Sequence, residues 1–371
     1  MTAVTGGMTA VTRHRLFWPS AVLAALLLYN LIFTPGFFSI EVRDGHLFGS
    51  LIDILRFGAP LILVALGMTM VIATGGIDLS VGSVVAISGA LACLWISQLP
   101  DQNSVTGVLV AVGLALLLSA ALGLWNGLLV AYVGLQPIIA TLILMVAGRG
   151  LAQLITDGQI TTVNSSPYKL IGGGYLFGIP FSIILAVVVT GLTTVLVRRS
   201  ALGMLIESVG GNAEASRLAG IRSKQITVMV YVFAAFCAGI AGLMISSNVS
   251  GADGNNAGLW YELDAILAVV IGGTSLAGGR FSIGGTVLGA LIIQTLTTTI
   301  YATGVPPETT LLVKALVVTA VCLIQSPAFR AKTARLLRGR RRKPGTPFGP
   351  AASPPRAEVS AGTAAVKGGG L

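Results

Sequence analysis

Apolar runs of roughly twenty residues, parted by short polar or glycine-rich breaks, recur from Leu16 almost to Gln325. About twenty apolar residues is what an α-helix needs to cross the hydrocarbon of a bilayer. Read this way, the pattern predicts ten crossings, over 17–33, 51–73, 81–97, 105–131, 136–156, 176–197, 227–247, 264–276, 283–303 and 309–324. The third and eighth fall short of a full span, which marks helices broken within the membrane. No hydrophilic block between the runs is long enough to make a soluble domain. The expected fold is all-α and polytopic: one membrane domain over 16–326, a short arm (1–15) and a tail (327–371). Arm and tail are expected to be disordered and cytosolic, the tail being basic and then rich in Pro, Gly and Ala.

Composition agrees, with 54% hydrophobic and only 10% charged residues, against roughly a quarter charged in soluble proteins. The net charge of +10 would suit a nucleic-acid partner. Its basic residues, however, gather in the arm, in 198–224 and after Ser326, the clustering that the positive-inside rule predicts for cytoplasmic segments. No nucleic acid is expected; the Arg run of the tail reads as a topology signal, with contact to anionic membrane lipid as a second reading. With the N-terminus in the cytosol, an even number of crossings returns the tail there. The inner loops then hold Arg198, Arg199, Arg217, Arg222, Lys224 and Arg280. Outer loops and helix edges hold Glu41, Asp44, Asp53, Asp101, Asp157, Asp253, Glu262 and Glu308, with few basic residues beyond Arg43 and Lys169. Arg13 and Arg15 precede the first run as in a secretory signal, but the run is long and many follow, so it reads as an anchor. Met8 opens a repeat of the first five residues, and translation from there is an alternative to Met1.

Catalytic chemistry is missing from the pattern. No lysine follows a glycine, so there is no GxxxxGK(S/T) phosphate loop. His14 and His46 lie far apart without an HExxH, and Cys93, Cys237 and Cys322 stand singly in apolar runs. Neither an enzyme, nor a metal, nor a cofactor is indicated.

The hydrophilic stretch 198–224, "RRSALGMLIESVGGNAEASRLAGIRSK", carries more information. Gly210 and Gly211 break what precedes them, Asn212 is a good N-cap for a short helix "AEASRLAG", and Gly220 suits its left-handed close. Glu214 and Arg217, three apart, share a face and can pair, while Ala213, Ala215 and Ala219 leave little bulk against a partner. Ser223 can cap the next membrane helix. A helical surface loop is the bland reading; a helix gripped by a motor subunit is the sharper one.

Polar residues inside apolar segments are the other signal, because such groups are costly toward lipid. Asp78, Asn126, Gln136, Arg149, Gln153, Gln294 and Lys314 are of this kind. Each can contact a translocated solute or simply tie helices and cap broken ends. In "ATGGIDLSVGS", Gly76, Asp78 and Ser80 mark a glycine-bounded break where the Asp78 carboxylate can accept backbone N–H groups. Gln136, before Pro137, starts a helix. Glu262 and Asp264, in "YELDA", favour the N-terminal dipole of the eighth helix; docking an external protein is the alternative. The segments 75–82 and 272–279 share GGxxL(S/A)xG, each after an inward helix and before an outward one. They are expected to be equivalent breaks near the cytosolic side, in two half-repeats.

These motifs carry a resemblance. The spacing of Gly211, Asn212, Glu214, Ala215, Arg217 and Gly220 resembles the EAA loop of ABC-importer permeases, with Ser216 where the consensus has a second Ala. "TGGIDLSVGS", "GGNAEASRLAGI" and "YELDAILAVVIGGTSLAGGRFSIGGTVLGALI" together resemble the permease subunits of ribose-type monosaccharide ABC importers over about 51–325. The segment "PGFFSIEVRDGHLFGSLIDILRFGAP" resembles the galactofuranose-importer branch. The resemblance implies a bacterial inner-membrane protein working by alternating access. Its implied partners are a cytosolic ABC ATPase, a periplasmic or extracellular sugar-binding protein that carries most of the selectivity, and a second permease copy or paralogue. A permease for branched-chain amino acids is a close rival. An ion-coupled secondary transporter is a rival from another class.

Overall fold

The computed structural model describes residues 16–304 together with 309, 311–316, 319 and 323. The arm 1–15, Glu308, Cys322, the tail 327–371 and much of the tenth expected crossing lie outside the described residues.

The described chain folds as an all-α membrane domain. Its helices are α1 (Phe17–Phe33), α2 (Ser50–Ala73), α3 (Val81–Ser97), α4 (Val105–Leu128), α5 (Pro137–Ile155), α6 (Ser166–Gly173), α7 (Phe181–Arg199), α8 (Leu202–Gly211), α9 (Ala213–Leu218), α10 (Ser223–Asn248), α11 (Tyr261–Ile271) and α12 (Ile283–Ala302). Six of them, α2, α4, α5, α7, α10 and α12, are long and apolar enough to cross a membrane. The two 17-residue helices α1 and α3 are apolar but shorter, and α11 has 11 residues. Among the described residues six crossings are thus clear, while α1, α3 and α11 are shorter.

Local chemistry sets the boundaries. Ser104 opens α4 by accepting the Gly107 N–H at 3.3 Å, and Pro137 stands first in α5, where its missing N–H costs nothing. The end of α4 runs on into a π turn, Leu129–Val133. Segment 175–180 pairs as a two-stranded hairpin, which moves the start of α7 from the expected 176 to Phe181. Ser223 does not cap α10: the cap position is Arg222 and Ser223 is already helical.

At the core, α2 is buried on nearly all sides from Gly58 to Ala73. Helix α10 crosses it so closely that a Cβ on Gly67 would meet the Ala234 Cα at 2.7 Å. Helix α4 meets α10 the same way, a Cβ on Gly127 lying 2.8 Å from the Val228 Cα. Backbone approach through small residues is how helices gain packing in lipid, where no hydrophobic force drives them together. By contrast α4, α5 and α7 present exposed apolar rows, among them Leu117, Val146 and Leu192.

Contacts between loops separate two ends. At one end lie three two-stranded pairs, β1–β2 (Glu41–Arg43, His46–Phe48), β3–β6 (Ile160–Thr162, Gly251–Asp253) and β4–β5 (Tyr175–Leu176, Ile179–Pro180), all antiparallel. There Leu47 N–H bonds the Gly178 carbonyl, and Asn103 accepts the Ser166 N–H at 2.9 Å. At the other end lie the breaks after α2 and α11, the α4–α5 turn, α8 and α9. Each grouping joins only loops that the alternating order of crossings puts on the same side.

Candidate coupling and gating site

Two glycine-rich breaks meet at the end that carries α8 and α9. Helix α2 stops at Thr74, with Gly75 left-handed at φ +82°, Gly75 N–H on the Ile72 carbonyl and Gly76 N–H on that of Val71. Helix α11 stops the same way: Gly273 has φ +87°, its N–H bonds the Val270 carbonyl, and Thr274 N–H bonds that of Val269. Both are Schellman closures, which satisfy the last carbonyls of a helix without side chains. The structural partner of Gly75 is therefore Gly273, one residue on from the Gly272 that the shared letter pattern aligns with it. The breaks lie side by side, Gly279 N–H donating to the Ala73 carbonyl at 2.9 Å.

Gly210 of α8 closes this junction. A Cβ there would strike the Ala73 carbonyl and come within 2.7 Å of the Gly279 nitrogen. One glycine thus touches both breaks at backbone distance, a contact the sequence did not single out.

The first break is held by a buried polar cluster. Asp78 and Ser80 are each 1% exposed and Asn126 is fully buried. The Asp78 Oδ1 accepts the Ser80 N–H at 2.9 Å and the Ser80 hydroxyl at 2.6 Å, and Asn126 Nδ2 donates to the Ser80 Oγ at 2.9 Å. Thr141, one turn into α5, accepts the Leu79 N–H at 3.1 Å and donates to the Pro137 carbonyl at 2.9 Å. The seven residues 74–80 are therefore tied to α4 through Asn126 and to α5 through Thr141. Asp78 Oδ2, Asn126 Oδ1 and the Tyr231 hydroxyl are buried without a hydrogen-bond partner in the chain. Gln136 occupies the cap position of α5 but makes no capping bond with its side chain.

The short helix α9 forms as its residues dictate. Asn212 Oδ1 accepts the Ala215 N–H at 2.9 Å, a cap contributing about 1 kcal/mol. Arg217 Nε donates to Glu214 at 3.0 Å, and Gly220 closes the turn at φ +85°. That pair is exposed, and Arg217 holds the Glu214 carboxyl below its ordinary range. Because it is depressed, the pairing persists above the ordinary carboxylate range and is lost only as pH falls through the lowered value. Between α9 and the first break lies a cleft of about 360 Å³, lined by Gly76, Ala213, Glu214, Arg217 and Tyr231. Residues read separately as coupling helix and helix break thus share one cleft.

The remaining candidates have internal partners. Glu262 is 8% exposed and packs against Gly82 of α3, and Asp264 pairs with Lys314 at 2.9 Å. Both carboxylates stand in the first turn of α11, as the dipole argument expects. Arg149 Nη1 donates to the Ala257 carbonyl at 2.6 Å and Gln153 to Asn255 at 2.8 Å, which ties α5 to the loop after β6. Gly210 was expected to break the helix before it, but α8 runs on through Gly211 and Gly210 is a close-contact residue within it. Thr141 and Tyr231 were missed by the sequence, and Thr141, one turn after a helix-starting proline, carried the one usable signal.

A polytopic helical domain with broken helices and an exposed short helix beside them is the architecture of a membrane permease. The chain belongs to the branched-chain amino acid transport system / permease component family, which it matches over residues 50–322. Among its relatives, the galactofuranose transporter permease protein YtfT of Escherichia coli is 49% identical over 328 residues, 86% of this chain and 94% of the relative. The fructose import permease protein FruF of Bifidobacterium longum is 41% identical over 331 residues, 88% of this chain and 91% of its own. The ribose import permease protein RbsC of Escherichia coli is 36% identical over 335 residues, 88% and 98% respectively. No solved structure matches. The chain is the membrane permease subunit of a sugar ABC importer, a transport protein rather than an enzyme, and alternating access driven by a separate ATPase is its mode of work.

Proposed function

We propose that the end carrying α8 and α9 faces the cytosol, that the ATPase grips α9, and that the two breaks are the moving parts it drives. The observation that carries this reading is the Gly210 junction, where the helix before α9 touches both breaks at once. A push on α9 reaches Gly210 through the single turn at Asn212, and from there Ala73 and Gly279, the ends that alternate exposure must shift. Asp78, Ser80 and Asn126 are then hinge residues, and Gln136 only marks the start of α5; none is a sugar contact. The basic residues Arg198, Arg199, Arg222, Lys224 and Arg280 at this end support the orientation.

The chain makes ten crossings in this reading, with the arm and the tail both cytosolic. A second permease copy or paralogue covers one of the exposed apolar faces, and a sugar-binding protein docks at the strand-bearing end. Glu262 and Asp264, spent on internal partners, are left out of that docking. The cargo is a galactofuranose-like or ribose-like monosaccharide, as the likeness to YtfT and RbsC supports.

The experiment is substitution in α9. Glu214→Trp fills the gripped face, and Gly220→Val puts a β-branched residue at a positive φ, where it is a steric outlier. Both should lower sugar uptake at least tenfold while the protein stays in the membrane, and the ATPase should no longer co-purify. Normal uptake with normal ATPase association would refute the coupling role.

A further inference from the structure

A second cavity, of about 560 Å³, opens in the half of the domain remote from α9. Its walls are the first turns of α2, the end of α10, the start of α7 and the second half of α12. Within the ~300–1,000 Å³ range of small-molecule pockets it has room for a monosaccharide. Its polar groups are unlike those of a helix seam. Arg56 Nη2 donates to Asn248 Oδ1 at 2.6 Å, and Nη1 reaches the Tyr175 hydroxyl at 3.5 Å. The Nε of Arg56 is buried with no partner, although the side chain lies within an apolar helix, where an ionisable group is by default a functional one. Ser182, 2% exposed, lines the same cavity and its hydroxyl is also unpartnered. Gln294 and Thr298, on successive turns of α12, face it too.

The set matches what a sugar ring demands. Each ring hydroxyl both donates and accepts, so a binder needs donors and acceptors interleaved. Arg56 supplies donors only, Asp53 acceptors only, and Asn248, Gln294, Ser182 and Thr298 both. A sugar also has a C–H face, and aromatic rings with a polar tip suit it. Tyr261 and Tyr301 stand in the wall. Beside Arg56 the Tyr175 ring is stacked against His46 at 4.3 Å. His46, Asp53 and Arg56 all lie in the segment 35–60.

We propose that this cavity is a monosaccharide contact site within the permease, where the sugar rests after leaving its binding protein and before the breaks move. It rests on the orientation given above, which makes this the outer half. Arg56 and Asn248 hold the hydroxyls, and the tyrosines cover the C–H face.

The test uses the whole importer, with ATPase and binding protein, in proteoliposomes supplied with tritiated D-galactose, D-ribose and D-fructose. Thr298→Val and Asn248→Ala are the variants, the first nearly isosteric. Uptake should fall at least tenfold and the order of preference among the sugars should change, while ATP hydrolysis stimulated by the loaded binding protein stays within twofold of wild type. Unchanged uptake of all three sugars would overturn the proposal, and so would a fall in hydrolysis in step with uptake. Native mass spectrometry that finds a phospholipid retained by the wild type and lost in Thr298→Trp would make the cavity a lipid site and also overturn it. Failure here leaves the α9 variants unaffected, so it is distinguishable from failure of the coupling reading.

Discussion

Asp78 uses one carboxylate oxygen and leaves the other without a partner in the chain. Its Oδ1 accepts two bonds from Ser80, and Ser80 in turn accepts from Asn126, so the acceptor at Oδ1 organises the break. A full charge adds nothing to those bonds that an amide oxygen could not supply in part. Asp78→Asn should therefore keep uptake within about threefold of wild type, because its oxygen can still accept from Ser80. Asp78→Ala strips both bonds inside a buried site, and at about 1–3 kcal/mol for each donor left unmade it should lower both the melting temperature and the uptake. Thermal unfolding in detergent alongside uptake checks the pair. Loss of uptake in Asp78→Asn with unchanged melting would show that the negative charge itself is needed.

At the scale of elements, the decisive contact is α8 against the two breaks. Gly210→Val forces α8 away from Ala73 and Gly279, because the atoms it would strike are backbone and cannot swing aside. The variant should insert and retain its ATPase, since α9 is untouched, yet lose coupling: basal hydrolysis continues while stimulation by the binding protein drops at least fivefold. Wild-type stimulation in Gly210→Val would remove α8 from the transmission. How far such elements could be foreseen depends on what made them. Helices α1 and α3 begin and end where the apolar pattern does, because hydrophobic length alone defines them. The α9 cap, ion pair and left-handed close were equally legible, since each rests on residues within one turn of each other. Helix α6 and the six short strands were not, because segments of two to eight residues are too short to show a hydrophobic period, and β3 is held by β6, far along the chain. The π turn at Leu129–Val133 lies inside an unbroken apolar run and leaves no mark on hydropathy. The Gly210 junction is a matter of three backbones, and no side-chain pattern announces it.

For the whole molecule, the contacts between loops constrain the number of crossings more tightly than hydropathy does. Asn103 bonds the backbone of Ser166, so the segments before α4 and after α5 share a side, and α4 and α5 must both cross or neither. Lys224 lies over the Tyr132 ring at 5.3 Å, which puts the π turn after α4 on the same side as the start of α10. With α7 as the one long helix between Asp157 and Ser200, those two exposed residues must lie on opposite sides. In the orientation proposed above, the basic end faces the cytosol. In a chain with its native cysteines replaced, Asp157→Cys should react with a membrane-impermeant maleimide on intact cells, and Ser200→Cys only in inverted vesicles. The opposite assignment would reverse the orientation and move the ATPase site off α9. Labelling of both from one side would mean that α7 does not cross, which would undo the alternation on which the outer cavity and the inner junction both depend.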